Sequence, residues 1–193
     1  MKNIIQSSIL SSVDNYTRVL NSNDILLDIE KIVSLSVQAF KADQKMLFCG
    51  NGGSASDAQH LAAELSGRFK INRPPLYAEA LHVNSSYMTA VANDFGYEET
   101  FSRMLEACGR KGDVLVGIST SGSSSNVVRA IDKANEIGLT TIGFTGVDGG
   151  DMDSICDIII KAPSNDTAKI QEVHILIGHI ICQLIEVEMF PNG

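Results

Sequence analysis

The sequence lacks the cysteine patterns that mark metal-binding or redox motifs. Its 193 residues include four cysteines, and no two of them form a CxxC pair, which excludes an encoded zinc knuckle or redox dithiol. Cys49, Cys156 and Cys182 each lie in an apolar run, where a thiol behaves as a small buried hydrophobic group. We therefore expect reduced, buried thiols and a cytoplasmic protein.

Positive charge and long apolar runs are also scarce. The formal net charge is −8 and the pI is about 4.9, so we expect no unassisted binding to nucleic acid or to an anionic membrane. No run approaches the roughly eighteen consecutive apolar residues of a membrane-spanning helix, which favours a soluble protein. The nucleotide-binding patterns GxxxxGK[ST] and GxGxxG are missing as well.

The residues that are present predict one α/β domain over 1–193, with a doubly wound parallel sheet flanked by helices. Residues 1–42 are predicted to form an oligomerisation segment of two amphipathic helices, the second capped by Asn23–Asp24, whose apolar faces need a partner. Residues 43–193 are predicted to form an α/β sandwich. Its predicted strands are 46–49, 76–81, 113–118, 140–144 and 155–160. Its predicted helices run from Ser54 to the Arg73–Pro74–Pro75 stop, from the cap Asn84–Ser85–Ser86 to 93–96, over 98–108 and 127–137, and from the cap Asp166–Thr167 to about 190.

The stretch 45–68 combines a short strand, a glycine turn and a helix. Residues 46–49 are too few for a helix and suit a buried parallel strand, which the glycine-rich residues 50–53 end. Ser54 and the helix after it leave unpaired backbone N–H groups at a helix N-terminus. Such a place favours an anion, most commonly a phosphate.

A second loop suited to anions, residues 119–126, follows the predicted strand 113–118. It is rich in serine around Gly122, and hydroxyls with backbone N–H groups can bind phosphate without Lys or Arg. The alternative is a flexible turn that only caps a helix. Because the loop directly follows a buried strand, the phosphate interpretation is favoured.

His60 and Glu64 lie four residues apart on the predicted helix after Ser54. This spacing places an imidazole and a carboxylate on one helix face, within reach of one ion or one substrate. A surface ion pair is the alternative interpretation. The surrounding small and apolar residues indicate a well-covered helix, where a charge needs a partner, and so favour a functional pair.

The last predicted helix carries Gln171, Glu172, His174 and His179 in an otherwise apolar sequence. A single histidine there would be a hydrogen-bonded core residue, whereas two with a glutamine suggest a site. Gln171 and His179 are roughly 12 Å apart along a straight helix and about 80° apart around it. If both serve one kind of site, either the helix is irregular or the ligands come from different subunits, and the apolar helices favour the second alternative.

Several motifs together resemble the phosphoheptose isomerases, a branch of the sugar-isomerase (SIS) domain superfamily. They are CGNGGSASDAQHLAAELSGRF, AVANDFGYEETFSR, GDVLVGISTSGSSSNVVRAI, GFTGVDGG and DTAKIQEVHILIGHIICQLIE. The resemblance covers about residues 40–190 in order. The loop STSG marks only the superfamily, whereas the joint pattern NGGS, AQHxAxE, STSG and IQExHxxxxH is specific to this branch.

The resemblance implies an aldose–ketose isomerase that converts sedoheptulose 7-phosphate into D-glycero-D-manno-heptose 7-phosphate for a bacterial surface glycan such as lipopolysaccharide. It also implies a homotetramer with shared active sites and one zinc ion per subunit. The implied metal ligands are His60, Glu64, Gln171 and His179, and we assign Glu64 as the carbon base and His179 as its acid/base partner. The residues predicted to contact substrate are Asn51, Gly52, Gly53, Ser54, Glu64, Asn93, Asp94, Ser119, Thr120, Ser121, Ser124 and Gln171.

The sequence departs from the family pattern near the predicted phosphate loop. Ser123 stands where many members carry a larger side chain, and His82 and Asn84 stand in a segment that often reads ALTTD. These changes bear on sugar specificity rather than on reaction type. The alternatives are a non-catalytic SIS protein that binds the replication initiator, a sugar-binding module and an isomerase of another phosphorylated ketose. The SIS protein that binds the replication initiator carries NGTS and STRG, where this chain reads NGGS and STSG.

Overall fold

A computed structural model describes residues 1–191, which form seven α-helices, two short 3₁₀ helices and five strands. The helices are α1 (Lys2–Leu20), α2 (Asn23–Lys41), α3 (Gly53–Ser66), α4 (Ser85–Phe95), α5 (Thr100–Cys108), α6 (Ser125–Ile137) and α7 (Thr167–Met189). The strands are β1 (Met46–Gly50), β2 (Ala78–Ala80), β3 (Val114–Ile118), β4 (Thr140–Thr145) and β5 (Ile158–Lys161). The 3₁₀ helices are Tyr97–Glu99 and Gly150–Ser154.

The strands form one parallel sheet in the order β2-β1-β3-β4-β5. Strands β1 and β3 are buried along their whole length, as expected for a parallel sheet with helices on both faces. The chain leaves β1 toward β2 and then returns to the other side of β1 with β3, so the strand order reverses between β1 and β3. The predicted doubly wound sheet is confirmed, and its ligand-binding edge is expected at this reversal, outside the carboxyl ends of the two strands.

Alternating side chains along the strands enter two separate cores. Phe48, Val116 and Phe144 pack with the helices α2, α3 and α7 on one face of the sheet. Leu47 and Leu115, one residue earlier on their strands than Phe48 and Val116, pack with α5 and α6 on the other face. The sheet is therefore a fixed platform, and the helices α3 and α7 are held side by side on one face of it.

Several predicted boundaries are wrong, among them the second strand, which was predicted over 76–81 and lies at Ala78–Ala80, and two predicted caps are confirmed. Helix α2 is capped by Ser22, whose side chain accepts from Ile25 N, rather than by Asn23–Asp24. Helix α3 ends at Ser66, well before the proline pair. The last strand begins at Ile158, because the N–H groups of Ile155 and Cys156 still donate to the carbonyl of Met152 in the turn after the 3₁₀ helix. Asn84 and Asp166 cap α4 and α7 with their side chains, as predicted.

Helix α1 packs on α2 and α7 through few side chains and leaves much apolar surface exposed. Val19 and Asn15 are its buried residues. Its exposed large apolar residues are Met1, Ile4, Ile5, Ile9, Leu10, Val13, Tyr16 and Leu20. The division of the chain into residues 1–42 and 43–193 stays a prediction.

Among the described residues, α7 is the one helix long and apolar enough to cross a membrane by length and composition, although it contains no uninterrupted apolar run of that length. Half of its most apolar window is buried inside the protein, and the core helix of a soluble protein passes the same test. In this fold α7 packs against α2 and α3, so its apolar character is accounted for by the core.

The cysteines are free thiols. Cys49 and Cys182 are buried, as predicted, whereas Cys156 is only half-buried. Burial raises the pKa of Cys156 and of Cys182 to about 12, so these groups stay protonated thiols.

Candidate active site

The loops after β1 and β3 meet at the point where the strand order reverses. Asn51 Nδ2 donates to Asn126 Oδ1 at 2.8 Å, and Asn126 Nδ2 donates to Asn51 Oδ1 at 2.9 Å. The hydroxyl of Tyr97 also donates to Asn51 Oδ1, at 2.9 Å. The two predicted anion-binding loops are therefore joined by side-chain hydrogen bonds, and the amide of Asn51 is held by two partners.

The glycine turn brings Gln171 onto the start of α3. Gly52 has φ +55°, a left-handed conformation that favours glycine, and lets the backbone turn into the helix at Gly53. A Cβ atom on Gly53 would lie 2.5 Å from Gln171 Nε2, so the side chain of Gln171 rests directly on the glycine backbone. Ser54, the next residue, is buried.

The serine loop is held together by its own hydroxyls. Ser119 Oγ lies 2.9 Å from Ser124 Oγ and 3.3 Å from Ser121 Oγ. Ser123 Oγ accepts from the backbone N–H of Asp151 at 3.2 Å, so this departure from the family pattern ties the loop to the segment after β4. Ser121 and its neighbour Thr120 line one side of a cleft of ≈ 400 Å³, whose other wall is the loop 146–149 and the start of α7.

His60, Glu64 and His179 form a compact cluster between α3 and α7. His60 Nε2 lies 3.1 Å from Glu64 Oε1 and 3.0 Å from His179 Nε2. One potential ligand atom from each of the three residues lies within 4.8 Å of the others. His60 is half-exposed and Glu64 is less so, so the cluster can be reached from outside the chain.

The surroundings of the cluster favour a neutral His179. Partial burial lowers the pKa of His179, and the neighbouring His60 lowers it further, while Glu64 acts in the opposite sense. The ring of Phe69 stacks on His179, with centroids 5.5 Å apart and an interplanar angle of 19°. A neutral imidazole can act as a general base or as a metal ligand.

The cluster has donor types and spacings that could hold a metal ion. Two imidazole nitrogens and one carboxylate oxygen are common zinc ligands, and tetrahedral ligands about 2.0–2.1 Å from the metal lie roughly 3.3 Å apart. The observed separations of 3.0 and 3.1 Å are close to this value. Among residues 1–191 this is the one such group of histidine, cysteine and acidic side chains.

Gln171 lies apart from this cluster within one chain. Helix α7 is continuous from Thr167 to Met189, and two turns of it separate Gln171 from His179. Gln171 contacts Gly53 in the first turn of α3, whereas His60 lies seven residues further along that helix. The structure therefore does not contain the helix irregularity that the sequence left open as one alternative.

Asn93 and Asp94 lie at the exposed end of α4. Asn93 Nδ2 donates to Asp94 Oδ1 at 2.8 Å. Tyr97, three residues after Asp94 along the chain, contacts Asn51 in the loop after β1.

Sequence reasoning missed several polar groups near the site. Asp57, one turn before His60 on α3, has a buried Oδ2 atom without a hydrogen-bond partner among the described residues, and burial raises its pKa. His174, which the sequence suggested as a site residue together with His179, is instead fully buried, and its Nε2 lies 2.9 Å from the carbonyl of Thr145, so it serves the core. The i, i+3 spacing to His60 could have identified Asp57, whereas the role of Tyr97 has no local signal.

Residues 12–146 match the family model described as SIS domain. The chain is similar to the phosphoheptose isomerase of Clostridium acetobutylicum, with 48% identity over 190 residues, 98% of this chain and 97% of that protein. Its structure is similar to that of phosphoheptose isomerase from Neisseria gonorrhoeae, with a TM-score of 0.90, 38% identity and coverage of 96% of this chain and 98% of that one. The phosphoheptose isomerase from Francisella tularensis is similar as well, with a TM-score of 0.90, 34% identity and coverage of 95% and 96%.

Proposed function

Because the chain belongs to the SIS domain family and, within it, to the phosphoheptose isomerases, we propose that it converts sedoheptulose 7-phosphate into D-glycero-D-manno-heptose 7-phosphate. The reaction is an aldose–ketose isomerisation and provides heptose for a surface glycan such as lipopolysaccharide. The observation that carries the proposal is the cluster of Glu64, His60 and His179, which combines a carboxylate with imidazoles in one group.

The phosphate end and the carbonyl end of the substrate need different chemical groups, and we assign separate side chains to each end. The phosphate needs hydrogen-bond donors, which the hydroxyls of Ser119, Ser121 and Ser124 and the N–H groups at the starts of α3 and α6 supply. The sugar end needs a base at carbon and an acid at oxygen. We assign the remaining predicted substrate contacts to the same pocket: Asn51, Gly52, Gly53, Ser54, Asn93, Asp94, Thr120 and Gln171.

In the proposed mechanism Glu64 removes a proton from C1 of the ketose, and the electron pair forms the C1–C2 double bond of an enediolate. His179 removes the proton from the C1 hydroxyl and passes it to the C2 oxygen of the enediolate, so that the carbonyl moves from C2 to C1. Glu64 then returns its proton to C2. The lowered pKa of His179 favours the neutral imidazole, the form that can accept the proton of the C1 hydroxyl.

We propose that His60, Glu64, Gln171 and His179 hold a zinc ion. A bound zinc would polarise the substrate oxygens and stabilise developing negative charge. The cluster of three is supported by its donor types and spacing. Since α7 is regular, Gln171 of one subunit and His179 of the same subunit are proposed to serve different sites.

This ligand arrangement calls for active sites shared between subunits, so we propose a homotetramer. The support is the apolar surface of α1, which includes Ile9 and Val13, both more than half exposed in the single chain. The segment 1–42 is proposed to bury this surface in the assembly. We also propose a cytoplasmic location, because the substrate is a phosphorylated metabolite and the cysteines are free.

The proposal is tested by an isomerase assay with sedoheptulose 7-phosphate before and after chelation, with fructose 6-phosphate as the control sugar. We expect turnover of the heptulose phosphate, loss after chelation and recovery when zinc is added. Absence of turnover by the zinc-loaded protein would contradict the proposed reaction. Turnover of fructose 6-phosphate alone would instead favour an isomerase of another phosphorylated ketose.

A further inference from the structure

A buried ion pair, Arg73–Glu186, adjoins the cluster of His60, Glu64 and His179. Its side chains are 1% and 3% exposed, and Arg73 Nε lies 2.9 Å from Glu186 Oε1. Burying two charges costs desolvation energy, and a buried pair is weak grounds for a gain in stability. The hydrogen bonds that each partner makes to the rest of the chain therefore show what the pair does.

Arg73 fixes the last turn of α3. Its Nη2 donates to the carbonyl of Glu64 at 2.8 Å, and its Nη1 donates to the carbonyl of Leu65 at 2.7 Å. The last carbonyls of a helix have no partner within the helix, and a rigid guanidinium can satisfy several of them at once. The backbone from which the Glu64 side chain projects is thus held by Arg73.

Glu186 fixes the segment that follows α3. Its Oε1 accepts from the backbone N–H of Phe69 at 2.9 Å, and its Oε2 accepts from that of Lys70 at 2.8 Å. Burial alone would raise the pKa of Glu186, but these N–H groups and Arg73 hold the pKa below its usual value, so the carboxylate stays ionised. Phe69 is thereby placed with its ring stacked on His179.

From this geometry we infer that Arg73, Glu186 and Phe69 are positioning residues for the isomerase. The ion pair holds Glu64 through its backbone carbonyl and His179 through the stacked ring of Phe69. Glu186 lies seven residues after His179 on α7, two turns along the same face. The Arg73–Glu186 pair thus sets the distance between Glu64 and His179, because Arg73 holds the backbone of Glu64 and Glu186 holds the residue that stacks on His179. The inference rests on the proposed function wherever catalysis is its readout.

The chain contains a closely matched control pair, Lys45–Asp113, at the opposite ends of the strands. Asp113 is fully buried and bonds to Lys45 Nζ at 2.5 Å, and it also accepts from the backbone N–H groups of Lys45 and Arg110. Like Glu186, it therefore binds one cationic side chain and two backbone N–H groups. Asp113 lies just before β3, at the amino ends of the strands and away from the site.

The test compares Glu186→Gln with Asp113→Asn. Each change keeps the shape of the side chain and removes one buried charge, so we expect both variants to lose stability. For Glu186→Gln we also expect kcat per folded subunit to fall roughly 10- to 100-fold, with KM for sedoheptulose 7-phosphate within about twofold of wild type, because small displacements of reacting groups are costly. For Asp113→Asn we expect kcat per folded subunit to stay unchanged. Equal kcat in the two variants would overturn the inference.

A second variant, Phe69→Leu, covers the case in which Glu186→Gln does not fold. It keeps an apolar side chain but removes the flat ring from His179, and we expect roughly a 10-fold lower kcat with little change in KM. In the double variant Phe69→Leu/Glu186→Gln the fold-decrease in kcat should be smaller than the product of the two single fold-decreases, since both changes act through the same contact. An unchanged kcat for Phe69→Leu would refute the role of the ring.

Crystal structures of the wild type and of Phe69→Leu provide a readout that does not need turnover. We expect the His179 ring to turn or shift away from Glu64 in the variant. An unchanged cluster would overturn the positioning role even if the protein is an isomerase. Conversely, a shifted ring in a protein without isomerase activity would refute the proposed function and leave the positioning contact in place.

Discussion

Asn51 and Asn126 exchange two hydrogen bonds, at 2.8 and 2.9 Å, across the point where the strand order of the sheet reverses. One residue follows β1, and the other begins α6 after the serine loop. The pair therefore fixes the distance between the two predicted anion-binding loops. With Tyr97 as a further partner, both lone pairs of Asn51 Oδ1 are used, and one N–H of its amide remains for a ligand.

We expect Asn126→Ala to weaken substrate binding. Without its partner the Asn51 amide loses its fixed orientation, and the net value of one hydrogen bond, about 1 kcal/mol or slightly more, corresponds to roughly a tenfold higher KM for sedoheptulose 7-phosphate. The matched control is Asn135→Ala, which also removes a hydrogen-bonded asparagine from α6, but near its far end. If both variants changed KM equally, the reciprocal pair would have no special role.

We expect Gly53→Ala to lower activity while the fold is kept. The new methyl group would lie 2.5 Å from Gln171 Nε2, the end of a flexible side chain, so Gln171 can move away at little cost in stability. Kinetic assays of Gly53→Ala, Gln171→Ala and the double variant form a cycle. The loss from Gly53→Ala should vanish in the Gln171→Ala background, because the side chain it displaces is already missing. Additive losses would show that Gly53 acts independently of Gln171.

The parts of the fold that could be predicted are those with local signals. Asn84 and Asp166 each precede a helical run, and a short side chain in that place caps the helix whatever the rest of the chain does. The cap predicted at Asn23–Asp24 is instead Ser22, the residue just before them, because only the path of the chain decides among adjacent polar residues. Residues 155–160 show the same limit, because an apolar run does not reveal that a 3₁₀ helix precedes the strand.

The candidate site also contains residues that local spacing predicts and residues that it does not. His60 and Glu64 share one helix, so their spacing alone predicted that they face the same side. Glu186 and Arg73 are separated by 113 residues, and no periodicity of either segment connects them. Such long-range pairs depend on how α3 and α7 pack on the sheet, which only the structure supplies.

We expect Glu64→Gln to abolish isomerisation and leave phosphate-ligand binding largely intact. The amide keeps the shape of the carboxylate but cannot accept the carbon-bound proton, and loss of a general base typically costs 10²- to 10⁴-fold in kcat. Binding of sedoheptulose 7-phosphate by calorimetry and turnover are measured on the same sample. Glu188→Gln, on the exposed end of α7, serves as the control. Wild-type activity in Glu64→Gln would refute its assignment as the base.

We expect charges on α1 to break the assembly. Ile9 and Val13 are 59% and 52% exposed in the single chain, and an interface that covers them would have to bury a carboxylate after Ile9→Glu or Val13→Glu. Light scattering coupled to size-exclusion chromatography should then show a smaller particle than the wild type, with lower activity per subunit. Ser11→Glu, also exposed on α1, is the control. An unchanged mass for the Ile9 and Val13 variants would contradict the proposed role of this surface.

His174 should make the free energy of unfolding depend on pH in a defined window. Burial lowers its pKa to about 4, although its hydrogen bond to the Thr145 carbonyl opposes the shift. An unfolded histidine titrates near 6.5, so between these values the unfolded chain binds a proton that the native chain does not. The stabilisation is complete above about pH 6.5 and is lost as the pH falls toward 4, by about 2 kcal/mol per subunit between pH 7 and pH 5.

The variant His174→Gln removes this titration and keeps a donor for Thr145. We expect it to be less stable than the wild type at pH 7, because the core is less well filled, but to lose less stability on acidification. Urea unfolding at several pH values measures both effects. His82→Gln removes a half-buried histidine whose pKa is also lowered by burial, and should flatten the pH dependence less. If His174→Gln and the wild type had parallel pH profiles, the pKa of His174 would have to be the same in the native and unfolded states, and the lowered native pKa would be contradicted.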